Sequence, residues 1–310
     1  AALAQASGLE LIAVGVPKTI DNDVGDAAFK LIDHTPGYGS AARYWAYIVQ
    51  NAEEENRGSA PADPVLVLQA MGRKIGYIPA AARLADPERR MPLQIYMAES
   101  GHTLESLGEN VLRQLERDRR CIVVVSEGFN VGDLGDVRDS FGHTTFSSCQ
   151  LTVAQCVTNY LNSLKFPVPG TARCQVPGTD QRAMSIYASE VDLDEAYAVG
   201  RTAVEIAVRD GSGWMATLLR KPGAAYAVTY DKVPLEQVAN SERTFPADWI
   251  ASDGIDVTDA FLAYVRPLIG ERWPAVPLEN GLQRYARLTP TFAPRTLAPY
   301  RPQALRTAAK

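Results

Sequence analysis

LELIAVGVPKTIDND, residues 9–23, runs an uninterrupted apolar stretch straight into a cation, a hydroxyl and two carboxylates. Residues 9–16 have the length of a strand, and apolar side chains at successive positions fit a parallel strand covered on both faces. Three similar runs follow at 65–71 (VLVLQAM), 93–97 (LQIYM) and 121–128 (CIVVVSEG). Helical patterns lie between them. Ser40 is placed to cap a helix over 41–56, with Tyr44, Trp45, Ile48, Val49 and Ala52 on one stripe. An alanine-rich helix is expected near 78–84, and Leu104, Leu107, Val111 and Leu115 mark the buried face of another ending near 119. Further on, the pattern predicts a helix near 148–164, a short strand at 172–176 and a long helix capped by Asp192, running to Asp210 and stopped by Gly211. Strands at 214–219 and 224–229 and a helix near 257–268 complete the readable part. Such alternation implies an α/β fold of mostly parallel sheets with helices on both faces.

With 310 residues, 46% of them hydrophobic and 22% charged, the chain is enzyme-sized and able to bury a large core in about two domains. Its net charge of −5 argues against a nucleic-acid binder, which needs excess Lys and Arg to neutralise phosphates. The charge is uneven. No acid follows Glu279, whereas Arg284, Arg287, Arg295, Arg301, Arg306 and Lys310 do, so the tail carries +6 and the rest −11. Interleaved prolines in that tail favour an extended arm on an acidic body. No apolar run approaches a membrane span and no signal peptide is evident, so a cytoplasmic location is expected. Cysteines 121, 149, 156 and 174 lack CxxC spacing and read as reduced core residues.

Open parallel sheets bind ligands at the carboxyl ends of their strands. Those ends here carry residues 17–23, then Met71-Gly72-Arg73-Lys74, Glu99, and Ser126-Glu127-Gly128. Phosphoryl transfer uses such a set: a carboxylate to accept the attacking hydroxyl's proton, a second to position metal, and cations beside the transferred phosphate. The plainer alternatives are an Asx turn at 21–23 and ordinary solvated charges elsewhere. A calcium loop is excluded, because Gly25 and Ile32 stand where acidic or amide ligands are needed. Residues 211–216 fit G-x-G-x-x-A but follow a helix and open a strand, the reverse of a dinucleotide fingerprint. Gly37-Tyr38-Gly39 before a helix reads as a glycine turn, with a phosphate cradle as the other possibility.

VPKTIDND, followed by MGRK, VVSEG and GTDQR in that order, resembles the phosphofructokinases and above all their pyrophosphate-dependent branch. The resemblance runs over about residues 9–200. It implies that Asp21 is the base for the 1-hydroxyl of fructose 6-phosphate, that Asp23 supports magnesium and geometry, and that Thr19 contacts the transferring phosphate. Met71, Gly72 and Arg73 would hold the sugar and stabilise the transferred group, and Glu127 would bind sugar hydroxyls. Arg173, nine residues before Arg182, would share the 6-phosphate with it, one of the two reaching in from a neighbouring subunit. Lys18 replaces the glycine of most ATP-dependent members and points to pyrophosphate as donor. The chain departs from the family at Pro64, Gln69, Thr179 and Ala183-Met184. Residues 139–143 (DSFGH) also match the pyrophosphate group, with no role assigned.

The implied fold is two Rossmann-like three-layer lobes, with 1–32 and 172–232 in the donor lobe, 33–171 in the fructose 6-phosphate lobe and 233–310 as a C-terminal extension and arm. A homodimer or homotetramer with Mg2+ is implied, with no nucleic-acid or membrane partner. Because the family's GGD donor motif lies upstream of the strand at 9–16, a missing N-terminal portion, which would also hold the main metal ligand, is expected. Two alternatives stay open: an ATP-dependent 6-phosphofructokinase, and a non-catalytic sugar-phosphate-sensing subunit.

Overall fold

Two sheets carry the strand-end residues toward one another. The structure, a computed structural model, describes residues 6, 8, 10–132, 151–239, 241–273, 276–292 and 294. Residues 139–143, Cys149, the start of the expected helix at 148 and most of the basic tail lie outside the described residues.

The larger sheet has the order β3-β4-β2-β5 and is wholly parallel, built from β2 (Val65–Ala70), β3 (Leu93–Tyr96), β4 (Cys121–Ser126) and β5 (Ala172–Gln175). Its unbroken apolar strands have a direct cause. Leu66, Leu68, Ile122 and Val124 pack on one face, while Val65, Val67, Val123 and Val125 pack on the other. The first face is covered by α1 (Tyr38–Ser59), whose Tyr44, Trp45 and Val49 are buried, and by α2 (Tyr77–Ala80) with the 3-10 turn after it. The second is covered by α3 (Leu104–Asp118) and α4 (Val153–Ser163). Gln69 is the polar exception on β2: its Oε1 accepts the Ala154 amide at 2.9 Å and ties the start of α4 to the strand.

The smaller sheet has the order β1-β6-β7, where β1 (Val14–Gly15) runs parallel to β6 (Trp214–Arg220) and β7 (Val228–Pro234) antiparallel to it. The long helix α6 (Glu190–Asp210) buries Val199, Ala203 and Ile206 against Ala216 and Leu218. On the other side Met215 and Val233 meet Ile32 and Val238, the latter on the single turn α7 (Leu235–Val238). Between the sheets in sequence lies the single turn α5 (Asp180–Ala183). After β7, residues 245–268, with α8 (Asp259–Val265), insert Phe245, Val257, Phe261, Val265 and Leu268 into the core over the first face of the larger sheet.

Several boundaries differ from expectation. Residues 172–175 pair with β2, so the chain leaves the larger sheet after Gln175 and not before Ala172. Residues 233–273 belong with everything before them to one unit, 1–274, and several of their aromatics join its core. The segment 275–310 forms a separate unit with a hairpin of β8 (Leu278–Glu279) and β9 (Leu282–Gln283). β7 starts at Val228, since Lys221 and Ala227 close a loop by a backbone bond of 2.8 Å. Ser40 does not cap α1 and Asp192 does not cap α6. Gly37 precedes α1, and Ser189 caps α6 by accepting the Asp192 amide. The Asp192 carboxylate instead accepts the Gly37 amide at 2.7 Å and the Ser40 amide at 3.1 Å. A protein carboxylate thus occupies the α1 N-terminus that the glycine turn had left open for a phosphate. The second glycine motif is a turn, as its order required: Gly211 ends α6, Gly213 has φ 95°, and β6 begins at Trp214. Cys121, Cys156 and Cys174 are free thiols.

Candidate active site

Residues 16–23 leave β1 of the smaller sheet and meet the turns that leave β2 and β4 of the larger one. The first turn is fixed by its own hydroxyl: Thr19 Oγ1 accepts the Asp21 amide at 3.1 Å, and Thr19 O accepts the Thr35 hydroxyl at 2.8 Å. Asp21 Oδ2 lies 3.9 Å from Arg73 Nε, a contact between the two sheets. Asp21 is largely buried and Arg73 half exposed, at 15% and 51% of side-chain surface. A pair this long and wet is worth under about 1 kcal/mol, so it aligns the two groups without tying up the guanidinium. Burial pushes the Asp21 carboxyl above its ordinary value, and neighbouring Asp23 pushes it the same way, against the opposing pull of Arg73, the Thr19 hydroxyl and Lys18. Lys18 is exposed beside this group. A carboxylate so placed is a better proton acceptor than one in water.

The Arg73 turn is held from beneath. Gly72 has φ 121° and Arg73 itself has φ 53°, a left-handed backbone that costs a non-glycine residue about 1–3 kcal/mol. The Glu127 carboxylate offsets that cost: its Oε1 accepts the Gly72 amide at 3.2 Å and the Arg73 amide at 2.8 Å. Burial holds the Glu127 carboxyl above the usual range, against those amides and Arg73. Glu127 therefore shapes the Met71–Arg73 turn through one oxygen, a role beyond the sugar-hydroxyl contact read from sequence. Gly128 lets the two turns touch, since a Cβ there would stand 2.0 Å from the Arg73 carbonyl oxygen. Met71 is half-buried, and its amide donates to Gln181 Oε1 at 3.0 Å. That oxygen also accepts Trp45 Nε1 at 2.9 Å, so buried Gln181 links α5 to the turn after β2.

The sequence-derived set divides. Lys18, Thr19, Asp21, Asp23 and Arg73 converge, with Met71, Gly72 and Glu127 forming the adjoining turn. Arg182 is exposed on α5, next to Gln181. Arg173 is not brought to this cluster. It sits opposite Leu66, four residues or about 13 Å before the end of β2, and pairs with Glu55 and, at 3.4 Å, with Asp63. That register leaves Arg182, and not Arg173, beside the turn after β2 within this chain.

Three contributors carried no assigned role in the sequence. Gln181 sits inside the DQR motif, which was its one signal. Glu99, at the end of β3, accepts the Gly76 and Phe245 amides through Oε1 at 3.1 and 3.3 Å, while its buried Oε2 has no partner. Burial raises its carboxyl pKa. Arg243 lies in a stretch without periodicity and had no signal at all.

Among the described residues no three metal-ligating side chains converge. The adjacent carboxylates of Asp21 and Asp23 nonetheless suit a hard divalent ion that draws most of its shell from water and substrate phosphates.

The sequence profile of the phosphofructokinase family matches residues 1–207. The pyrophosphate–fructose 6-phosphate 1-phosphotransferase of Methylococcus capsulatus is 34% identical over 304 residues, covering 96% of this chain and 69% of that protein. Two crystal structures titled as pyrophosphate-dependent phosphofructokinases superpose well. The one from Marinobacter aquaeolei has a TM-score of 0.80 at 30% identity, covering 96% of this chain and 70% of that one. The one from Nitrosospira multiformis has a TM-score of 0.79 at 34% identity, covering 97% and 70%.

Proposed function

Since the chain belongs to the phosphofructokinase family, we propose that it transfers a phosphoryl group from pyrophosphate to the 1-hydroxyl of fructose 6-phosphate, giving fructose 1,6-bisphosphate and inorganic phosphate. The observation that carries this reading is the contact between sheets of Asp21 and Arg73, with Asp23 and Lys18 beside it. Asp21 takes the proton of the 1-hydroxyl as that oxygen bonds to phosphorus, and the bond from phosphorus to the departing phosphate breaks. Arg73 and Lys18 offset charge on the transferred and departing groups. Thr19 orients the donor, and Arg182 holds the sugar's 6-phosphate. Asp23 would hold a magnesium ion together with donor phosphate oxygens, and that ion would supply further charge neutralisation. Exposed Lys18 supports pyrophosphate over ATP, because a compact ammonium can serve a small inorganic leaving group that brings no adenosine contacts. Side-by-side rates with pyrophosphate and ATP test this. A faster reaction with pyrophosphate is expected, and equal or faster turnover with ATP overturns the donor assignment.

Arg173, half exposed and away from its own site, supports a homo-oligomer in which it serves a neighbour's sugar phosphate. No helix among the described residues is long and apolar enough to cross a membrane, and a cytoplasmic location is part of the proposal.

The pH profile follows from Asp21. The base works unprotonated, and its pKa is raised by burial and by Asp23. Activity is therefore present above that raised pKa and lost as pH falls through it, with an acid limb above the ordinary aspartate value of about 3.9. In Asp23→Asn the like charge is gone, so the limb of kcat/KM moves to lower pH. A limb that stays or moves upward contradicts the assignment of the base.

A further inference from the structure

Asn22, between the two carboxylates, has φ 59° and is fully buried. Its Oδ1 accepts the Thr35 amide at 3.0 Å, and its Nδ2 donates to the Tyr264 hydroxyl at 2.9 Å. The strongest hold on it comes from Arg243, which is 1% exposed. Arg243 Nε and Nη2 donate to Asn22 O at 3.2 and 3.0 Å, and Nη2 also donates to Asn22 Oδ1 at 2.9 Å. Nη1 donates to Ile32 O at 2.8 Å, and the Arg243 amide donates to Asp23 O at 2.6 Å. The guanidinium lies over the Phe29 ring at 4.3 Å and the Tyr77 ring at 5.6 Å. Among the ion pairs of the described residues none involves Arg243.

A buried cation without a carboxylate partner is a poor device for stability, since apolar side chains of similar volume fill such space at equal or lower cost. Three of the five bonds it donates instead go to one left-handed residue of the catalytic turn, and a fourth to its neighbour Asp23. We propose that Arg243 is a positioning residue for phosphoryl transfer: it clamps Asn22 in the backbone conformation that sets Asp21 and Asp23 side by side, facing Arg73. The proposal rests on the function given above. A planar fork with several donors is required, which a lysine does not supply.

The test compares Arg243→Lys, Asn22→Gly and Arg83→Lys with the wild-type chain, by steady-state kinetics with pyrophosphate and fructose 6-phosphate and by thermal melting. Arg83 is the matched control, because it is 2% exposed and bonded to Asp256, Asp86 and Leu93 O, away from the Asp21 turn. Displacement of a reacting group by 1 Å costs on the order of 100-fold, so Arg243→Lys should lose about 10–100-fold in kcat. KM for fructose 6-phosphate should stay within about threefold, the signature of an interaction used in the transition state. Asn22→Gly accepts the left-handed backbone but gives Arg243 no Oδ1, and it should lose kcat in the same direction. If Arg243→Lys does not fold, Asn22→Gly decides. Arg83→Lys should melt lower with kcat within about threefold of wild type. Near-native kcat in the folded Arg243 and Asn22 variants overturns the proposal, as does an equal kcat loss in Arg83→Lys at equal loss of melting temperature. Absence of any product from the wild-type chain overturns the proposed activity, and this positioning role with it.

Discussion

Asp21→Asn will bind fructose 6-phosphate and fail to phosphorylate it. Asparagine keeps the volume of the side chain and the Thr19 contact to the backbone of residue 21, so the turn that carries Lys18 and Asp23 survives. What disappears is the proton acceptor. Removing a general base lowers rates by about 100- to 10,000-fold, and the charge beside Arg73 contributes orientation as well, so kcat should fall at least 1,000-fold, roughly the middle of that range. Affinity should not fall with it, because the substitution removes a negative charge from a site that receives phosphates. Calorimetry with fructose 6-phosphate, alongside a product assay, separates the two effects. Turnover within about tenfold of wild type would assign the base elsewhere, since so small a loss lies below the range for a general base.

The second large effect comes from a single methyl group. Gly128→Ala places a Cβ 2.0 Å from the Arg73 carbonyl oxygen and 2.8 Å from its carbon. Both obstacles are backbone, pinned by the Glu127 carboxylate and by the Ser126 hydroxyl, which donates to the same carbonyl at 3.3 Å. No rotamer relieves the clash, so the turn must move by an ångström or more. The expected cost is about 1–3 kcal/mol of stability, as for an overpacked core. The kinetic cost is larger, on the order of 100-fold in kcat/KM, because Arg73 loses its aim at Asp21. Gly200→Ala, in open space on α6, is the control and should be neutral or slightly stabilising. Matching activity in the two alanine variants would show that the Arg73 turn needs no such close approach.

Much of the larger sheet could be read in advance because each strand is buried on both sides. Val65, Leu66, Val67 and Leu68 leave no polar interruption, and strand existence follows from that alone. The smaller sheet was harder. β7 alternates half-buried and exposed residues, and its sequence VTYDKVP gives a weak signal beside the apolar-looking but looped stretch before it. The site divided along the same line. Arg73 and Glu127 follow β2 and β4 within three residues, Asp21 lies in the loop after β1, and all three were legible from position. Arg243 and Asn22 meet across 221 residues, and no local pattern encodes a contact of that span. Arg173 was legible from motif spacing alone, whereas its place in space, away from the Asp21 turn, is set by strand register.

The Asp192 carboxylate at the start of α1 has a consequence for selectivity. A cell holds abundant inorganic phosphate, which is also a product of the proposed reaction, and an open helix N-terminus at Gly37, which bridges to Thr19 of the Asp21 turn, would be a trap for it. By supplying the anion from its own α6, the chain removes that decoy, while the contact of Arg73 with Asp21 stays long at 3.9 Å. Phosphate is then left to compete at the reacting centre, where it departs after each turnover, and not at this helix end.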